Sequence, residues 1–535
     1  MRILWYSPPP TLPTGIGKVA RYLTQGLKRR GYEIYILNEF YAGKPIVIDG
    51  IVHYSFYDKT VLPAIMDEVK PDVVVIYGSI WHPSINQITR LFTKYDVKIL
   101  LYAPIEFSSV SDFFLKSLIG ADHIATTSYY AKNVILKWSS IPEDKVSVVY
   151  HGVDTNIYRP LNPKPRFENF EDYFIFGMVA RNQIRKEYPV LLRAFASLPK
   201  YIKDECMLYL HTMPLEESGG KLGWNLPLLV RKYNLFGKVL FPSEKACKFM
   251  GYSEKEMCEI YNAMDVHCLI TSGEGFGLPL IEAMACGIPQ IASKNTCIPE
   301  ILGDAGIYAE CWEEDLETVE GFTLSTTKIS AVRECMIMLF EDKNLRKKLS
   351  QNALRRVMLF SWDRAVSMME DAILKAYNSN KKLGLEILRK KERICNETYN
   401  EFFASFIPKG NGLCLDLGCG KHTLYRKTIE SRGYEYIGLD IQKSKRVTVV
   451  ADARYLPFRD RAFNFLFANQ LLEHIDTNEQ VKVLKEAMRA SKHGVFIFPS
   501  EDNESYWYNA DHKPYSNEIR KYIALKSLGN YIIVW

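Results

Sequence analysis

Short apolar runs alternate with amphipathic stretches of helical period along most of the chain. MRILWYS (1–7) leads to VARYLTQGLKRRGYE (19–33), and IYILNEF (34–40) follows; later come DVVVIYG, KILLYAP, HIATTS and VSVVYHG. Runs rich in Val, Ile and Leu read as strands buried on both faces, and strands separated by helices read as βαβ units with parallel sheets. TNIYRPLNPKPRFENFED (155–172) is rich in proline and polar residues and reads as a linker. A second series then runs through YFIFGMVAR, CMLYLHT, KVLFP, VHCLITS, PQIAS and AGIYAE, and the helical SWDRAVSMMEDAILKAY closes it. NSNKKLGLEILRKKERICNETYNEFF is charged and helical, a connector, and GLCLDLGCG, YEYIGLD, VTVVAD, FNFLFAN and HGVFIFP form a third series.

The pattern predicts an α/β protein of three doubly wound, Rossmann-like domains. The expected boundaries are 1–165, 166–378, a helical linker 379–394, and 395–535. The chain ends in GNYIIVW soon after the sixth strand-like run of the third series, so a closing strand hairpin is expected to be missing there.

Composition narrows the class. Apolar content of 47% and charged content of 24% are those of a globular protein with real cores. A formal charge of +6 over 535 residues implies no nucleic-acid partner. The basic stretch LKRRGYE is compatible with peripheral contact to anionic lipid, although a solvated helix end is the simpler reading. No apolar run reaches the length of about 18 residues that marks a membrane span. MRILWYSPPP is broken by proline too early for a signal peptide. The 11 cysteines include no CxxC pair, which fits reduced thiols and predicts a cytoplasmic protein with no metal site.

The densest chemistry lies in GEGFGLPLIEAMACG (273–287). Its glycines make a tight turn after the strand VHCLITS, Pro279 suits the first turn of a helix, and Gly287 suits its C-terminal end. Backbone N–H groups at such a helix start form an anion site. Glu274 and Glu282 flank it, and carboxylates accept hydrogen bonds from sugar hydroxyls. Upstream, Arg181 and Lys186 stand at the mouth of a strand, as a diphosphate clamp requires. Gly15 and Gly17 in PTGIGKVARYL form a second flexible loop. Taken singly, each feature has a plain reading: helix-dipole charge, a solvated face, a lone GxG. Together, in strand–loop–helix settings on two domains, they point to one site.

With these residues in place, positions 1–378 resemble the retaining GT-B glycosyltransferases of family 4. The most specific motif is the pair of glutamates separated by seven residues, Glu274 and Glu282; HGVDTNIYRP and FSW (360–362) also match. The resemblance implies a nucleotide-diphosphate sugar as donor (UDP-, GDP- or ADP-linked) and a glycan, lipid-linked or other hydroxyl acceptor. It implies that Arg181 and Lys186 stabilise the leaving diphosphate, with no divalent metal required. Glu274 would hold donor-sugar hydroxyls, the amides of Gly275, Phe276, Gly277 and Leu278 would lie near sugar and phosphates, and Glu282 would bind ribose. Configuration is retained in a front-face reaction in which a donor phosphate oxygen helps deprotonate the acceptor. Many relatives carry His-Asp after the fourth strand where this chain has YAPIEF, so Glu106 is the nearest candidate on the acceptor side and His82 another. CMLYLHTMPLEE replaces the commoner glycine-rich segment, leaving base recognition near His211 open. Two other readings share the fold: a sugar-nucleotide epimerase and a phosphorylase dependent on pyridoxal phosphate.

In the third series, GLCLDLGCG puts Asp416, Gly418 and Gly420 on a strand-to-helix turn, and YEYIGLD ends at Asp440 about twenty residues later. A nicotinamide site would use similar glycines, but residues 395–535 resemble the class I S-adenosylmethionine-dependent methyltransferases in DLGCG and in AD…LPF. The resemblance implies Gly418 and Gly420 near the methionine part, Asp440 on the ribose, Asp452 and Ala453 at the adenine, and Asn469 nearby. His422 and Asn464 depart from the usual pattern. A non-catalytic, methyltransferase-like binding module is the alternative.

Overall fold

A computed structural model describes residues 1–38, 41, 43–79, 83–109, 118, 120–139, 141–215, 217–218, 221–242, 251–312, 316–317, 323–379, 406–420, 423, 425–445, 447–469, 471–499, 515, 519, 522, 525–527 and 530–534. The chain divides into two compact units, Met1–Leu388 and Arg389–Trp535.

Besides two short two-stranded antiparallel sheets, 217–218 with 221–222 and 316–317 with 323–324, the first unit holds two large sheets. One consists of β1 (Arg2–Tyr6), β2 (Glu33–Asn38), β3 (Ile46–Ile48), β4 (Ile51–Ser55), β5 (Val73–Tyr77), β6 (Lys98–Tyr102), β7 (His123–Thr126) and β8 (Val146–Val148), in the order β3-β4-β2-β1-β5-β6-β7-β8. All neighbours are parallel except the β3–β4 pair. The other contains β9 (Phe174–Val179), β10 (Cys206–His211), β11 (Val239–Leu240), β12 (Val266–Leu269), β13 (Gln290–Ser293) and β14 (Gly306–Ala309), all parallel, in the order β11-β10-β9-β12-β13-β14. The apolar runs become strands because helices cover both sheet faces; every residue of β5 and β12 is buried.

Helix α1 (Gly15–Arg29) follows β1, with Thr14 capping it by accepting a hydrogen bond from Gly17 N at 3.1 Å. The later helices that matter are α2 (Tyr129–Trp138), α3 (Glu254–Ala263), α4 (Leu278–Ala285) and α5 (Trp362–Tyr377). Helix α5 buries Val366, Met369 and Ile373 against Trp5, Leu23 and Val75, and so crosses back onto the first sheet. The fit is close: a Cβ on Gly26 of α1 would lie 2.2 Å from Val366 Cγ2.

The second unit is one sheet: β15 (Leu413–Leu417), β16 (Glu435–Asp440), β17 (Val449–Val450), β18 (Phe465–Asn469), β19 (Gly494–Pro499), β20 (Leu525–Ser527) and β21 (Asn530–Val534), in the order β17-β16-β15-β18-β19-β21-β20. The last two strands correct the expectation of a missing hairpin. β21 pairs antiparallel with β19 and with β20. Ile533 is 1% exposed and Val534 57%, the alternation of a half-covered antiparallel strand rather than the continuous apolar run of a central parallel one.

Candidate active site

Strand order reverses beside β1, beside β9 and beside β15. In open α/β sheets the crevice outside the carboxyl ends of the strands at such a reversal is where ligands bind. In the first unit these positions carry the Gly15/Gly17 loop, the Arg181–Lys186 loop and the 273–277 turn.

The two sheets meet there. A Cβ on Gly15 would sit 3.4 Å from Leu278 Cδ1, and one on Gly275 would sit 2.8 Å from Pro104 Cβ. Thr127 Oγ1 donates to Gly275 O. Gly277 takes φ +86°, a left-handed conformation that favours glycine, and leads directly into α4 with Pro279 in its first turn.

Glu274 is buried and joined to Lys186 Nζ. Arg185 Nη1 donates to Glu274 Oε1 at 2.7 Å, and its Nη2 donates to Glu106 Oε1 at 3.1 Å. Lys186 is fully enclosed. Burial, reinforced by the adjacent Arg185 guanidinium, pushes it well below the ordinary lysine range, and Glu106 acts in the opposite direction. Arg181 lies at the end of β9 and is exposed. Lys186, Glu274 and Glu106 are thus gathered round Arg185, which the sequence reading missed; its only signal was a second basic residue beside Lys186.

Glu282 occupies a second cluster. Lys18 Nζ, on α1, donates to Glu282 Oε1 at 2.7 Å and to Tyr158 Oη at 2.8 Å, and lies 2.9 Å from Glu254 Oε2. Tyr261 Oη donates to Glu282 Oε2 at 2.8 Å. Burial alone would lower Lys18, but Glu282 and Glu254 outweigh it and the net shift is upward. Arg21 Nη2 reaches Glu254 Oε1 at 2.6 Å. His151 stacks obliquely on Phe276 with ring centroids 4.6 Å apart, and burial pushes it down to about 3. His211 shares a hydrogen bond of 2.8 Å between Nδ1 and Tyr209 Oη, and burial lowers it to about 4, so it is neutral at pH 7. His82 lies outside the described residues. Among the described residues no group of three or more His, Cys, Asp or Glu is arranged to hold a metal ion, and no helix is long and apolar enough to cross a membrane.

In the second unit, Gly418 (φ +75°) and Gly420 (φ +63°) form the turn after β15. Asp440 accepts from Gly420 N at 2.9 Å and from Gln442 N at 2.8 Å. Asp416 is 2% exposed and accepts from Tyr436 Oη at 2.9 Å; burial raises it to about 7. Asp452 is forked by Arg454, with Nη2 to Oδ2 at 2.7 Å, and is followed by buried Ala453. Asn469 donates to Tyr425 Oη at 2.8 Å, while its buried Oδ1 has no partner among the described residues.

Two parallel sheets meeting at their reversal points, with a glycine turn between buried glutamates, define a GT-B glycosyltransferase unit, and the third sheet is of the methyltransferase type. The first unit belongs to the family 4 glycosyltransferases, and the second matches a methyltransferase model. Residues 13–157 match the model described as Glycosyltransferase Family 4, 162–356 match Glycosyl transferases group 1, and 415–498 match a Methyltransferase domain. The O-antigen chain mannosyltransferase B of Escherichia coli is 24% identical over 266 residues, 48% of this chain and 61% of the relative. The chain therefore spans less than two thirds of that relative's length. The solved sucrose-phosphate synthase of Thermosynechococcus elongatus superposes with a TM-score of 0.55 at 18% identity, covering 69% of this chain and 98% of that one. HepE of Anabaena, solved with UDP and glucose, gives 0.54 at 14%, again over 69% of this chain and 98% of its own. At these identities the superpositions speak for the fold alone.

Proposed function

We propose that the first unit transfers a sugar, with retention, from a UDP-, GDP- or ADP-sugar to a hydroxyl of a glycan or lipid-linked acceptor in glycan biosynthesis. The observation that carries this reading is the cluster at the start of α4, where buried Glu274 is held by Lys186 and Arg185 beside the 275–278 amides. As the bond to the anomeric carbon breaks, negative charge grows on the diphosphate. Fixed cations and amides in a site closed to water meet that charge without reorganising. Arg181 and Lys186 would take the diphosphate, Glu274 the sugar hydroxyls and Glu282 the ribose. An incoming diphosphate would also restore the proton that burial loosens on Lys186. The relatives' names, a mannosyltransferase and a protein bound to UDP and glucose, support a nucleotide-sugar donor. Glu274→Ala and Lys186→Ala should each abolish turnover in a chain that still melts cooperatively, at a lowered temperature because each leaves a buried partner short of its opposite charge. Substantial residual turnover in either variant sinks the assignment. A thermal-shift panel of UDP, GDP and ADP identifies the nucleotide.

The second unit we read as an S-adenosylmethionine site acting on the sugar product or a neighbour. The residues fit that ligand: two left-handed glycines open the turn, a Cβ on Gly420 would meet nothing within 4 Å among the described residues, and Asn469 Oδ1 is buried without a partner among them. Gly418 and Gly420 would border the methionine part, Asp440 the ribose, and Asp452 with Ala453 the adenine. The ligand supplies the methyl group, and the chain's residues bind and orient it. A second reading, a non-catalytic module, is favoured by the fork of Arg454 on Asp452. Calorimetry with S-adenosylmethionine decides, since no binding at millimolar ligand leaves only that module. The reading places the enzyme in the cytoplasm, with any membrane contact peripheral.

A further inference from the structure

Arg185 lies in the loop after β9, and its two terminal nitrogens serve different sheets. Nη1 donates to Gly273 O at 2.8 Å and to Glu274 Oε1 at 2.7 Å, both on the loop after β12. Nη2 donates at 3.1 Å to Glu106 Oε1, on the loop after β6. The backbone of Arg185 is tied to the same turn, its carbonyl accepting from Ser272 N at 2.9 Å and from Thr271 Oγ1 at 3.0 Å. The gap it spans is fixed as well: a Cβ on Gly273 would lie 1.9 Å from Glu106 O, so the two loops touch along their backbones. A planar fork anchored at one end holds both carboxylates in one geometry; an ammonium, with a single nitrogen, has no such fork.

Resting on the reading that Glu274 faces the donor sugar and Glu106 the acceptor, we propose that Arg185 is a positioning residue that sets the acceptor-side carboxylate in register with the donor-side one. It acts through Glu106 and Glu274 and leaves the diphosphate to Lys186 and Arg181. Misalignment by an ångström is enough to cost catalysis heavily, so its removal acts on turnover more than on donor affinity.

The test uses the full chain and the variants Arg185→Ala, Arg185→Lys, Glu106→Ala and Arg185→Ala/Glu106→Ala. Amide hydrogen exchange is followed over residues 103–109, nucleotide binding as the melting shift given by UDP, GDP or ADP, and turnover as nucleoside diphosphate released from UDP-glucose or GDP-mannose. Arg185→Ala and Arg185→Lys are expected to speed exchange at 103–109 and to lower kcat by roughly tenfold to a hundredfold, with donor KM within about twofold. The double variant should be no worse than the worse single one, because the two groups act as a unit. Additive losses, or unchanged exchange with a lost nucleotide shift, overturn the proposal and make Arg185 a donor ligand. Rescue by Arg185→Lys overturns it too. A wild-type chain that answers to none of the three nucleotides strikes the glycosyltransferase reading instead, and the exchange result still judges Arg185.

Discussion

Replacing Lys18 by Met removes a charge while keeping most of the side chain's bulk. Lys18 Nζ stands among Glu282 Oε1 at 2.7 Å, Glu254 Oε2 at 2.9 Å and Tyr158 Oη at 2.8 Å. Its side chain is 15% exposed, and those of Glu282 and Glu254 are 10% and 18%. Glu254 keeps Arg21 at 2.6 Å, so Glu282 is the carboxylate left stranded, holding the Tyr261 hydroxyl but no cation. Breaking a buried pair costs about 3–5 kcal/mol, and residual exposure argues for the lower end, about 3 kcal/mol. For a unit of this size that lowers the calorimetric transition by roughly 4 °C. Adding Glu282→Gln removes the stranded charge, so Lys18→Met/Glu282→Gln should recover at least half of the loss. If the single variant melts within a degree or two of wild type, or the double variant melts no higher than the single, the bond between α1 and α4 does not hold the two sheets together as described.

Further outcomes follow from the same geometry. Gly273→Ala drives a Cβ to 1.9 Å from Glu106 O, so the loops must part; turnover should collapse while stability falls by only about 1–3 kcal/mol, read by kinetics and melting on one preparation. Glu473 is 1% exposed, and burial raises its carboxyl from 4.5 to about 8, so the folded state holds the proton more tightly than the unfolded one. Its contribution is complete below pH 4.5 and is lost as pH rises toward 8; Glu473→Gln should therefore gain on the order of 3 kcal/mol relative to wild type between pH 5 and pH 7.5. An unchanged difference between the two pH values refutes that. Asp440→Ala removes the acceptor of the Gly420 and Gln442 amides and should weaken S-adenosylmethionine binding at least tenfold, about 1.4 kcal/mol, by calorimetry.

Much of this architecture could be read from the chain because its signals are local. The strands before Gly15, Arg181, Gly275 and Gly418 are apolar runs cut by glycine or proline, and a parallel sheet leaves its strand ends at one edge, so within each sheet the motif falls at the ligand-binding edge. Lys18 and Arg185 were missed because their partners are remote: Lys18 and Glu282 are 264 residues apart, and Arg185 and Glu106 are 79. No periodicity links such positions. The closing hairpin was missed for a different reason. GNYIIVW follows the sixth strand-like run too closely to suggest two further strands, yet β20 and β21 are short enough, Leu525–Ser527 and Asn530–Val534, to fit there.

The ligand-free charge balance explains why these acids and bases can be buried at all. Glu106 and Glu274 share Arg185, Glu274 also holds Lys186, and Lys18 serves Glu282 and Glu254. Each buried charge has an opposite neighbour, which limits a desolvation cost that would otherwise be several kcal/mol per ion. On the proposed reading a nucleotide sugar entering such a site exchanges partners rather than creating them: hydroxyls donate to the carboxylates while the diphosphate takes up Lys186. Binding is then driven by the difference between two neutralised arrangements. Removing either member of a pair weakens the empty site and the loaded one together, so stability and turnover must be measured side by side to separate a ligand-binding group from one that only balances charge.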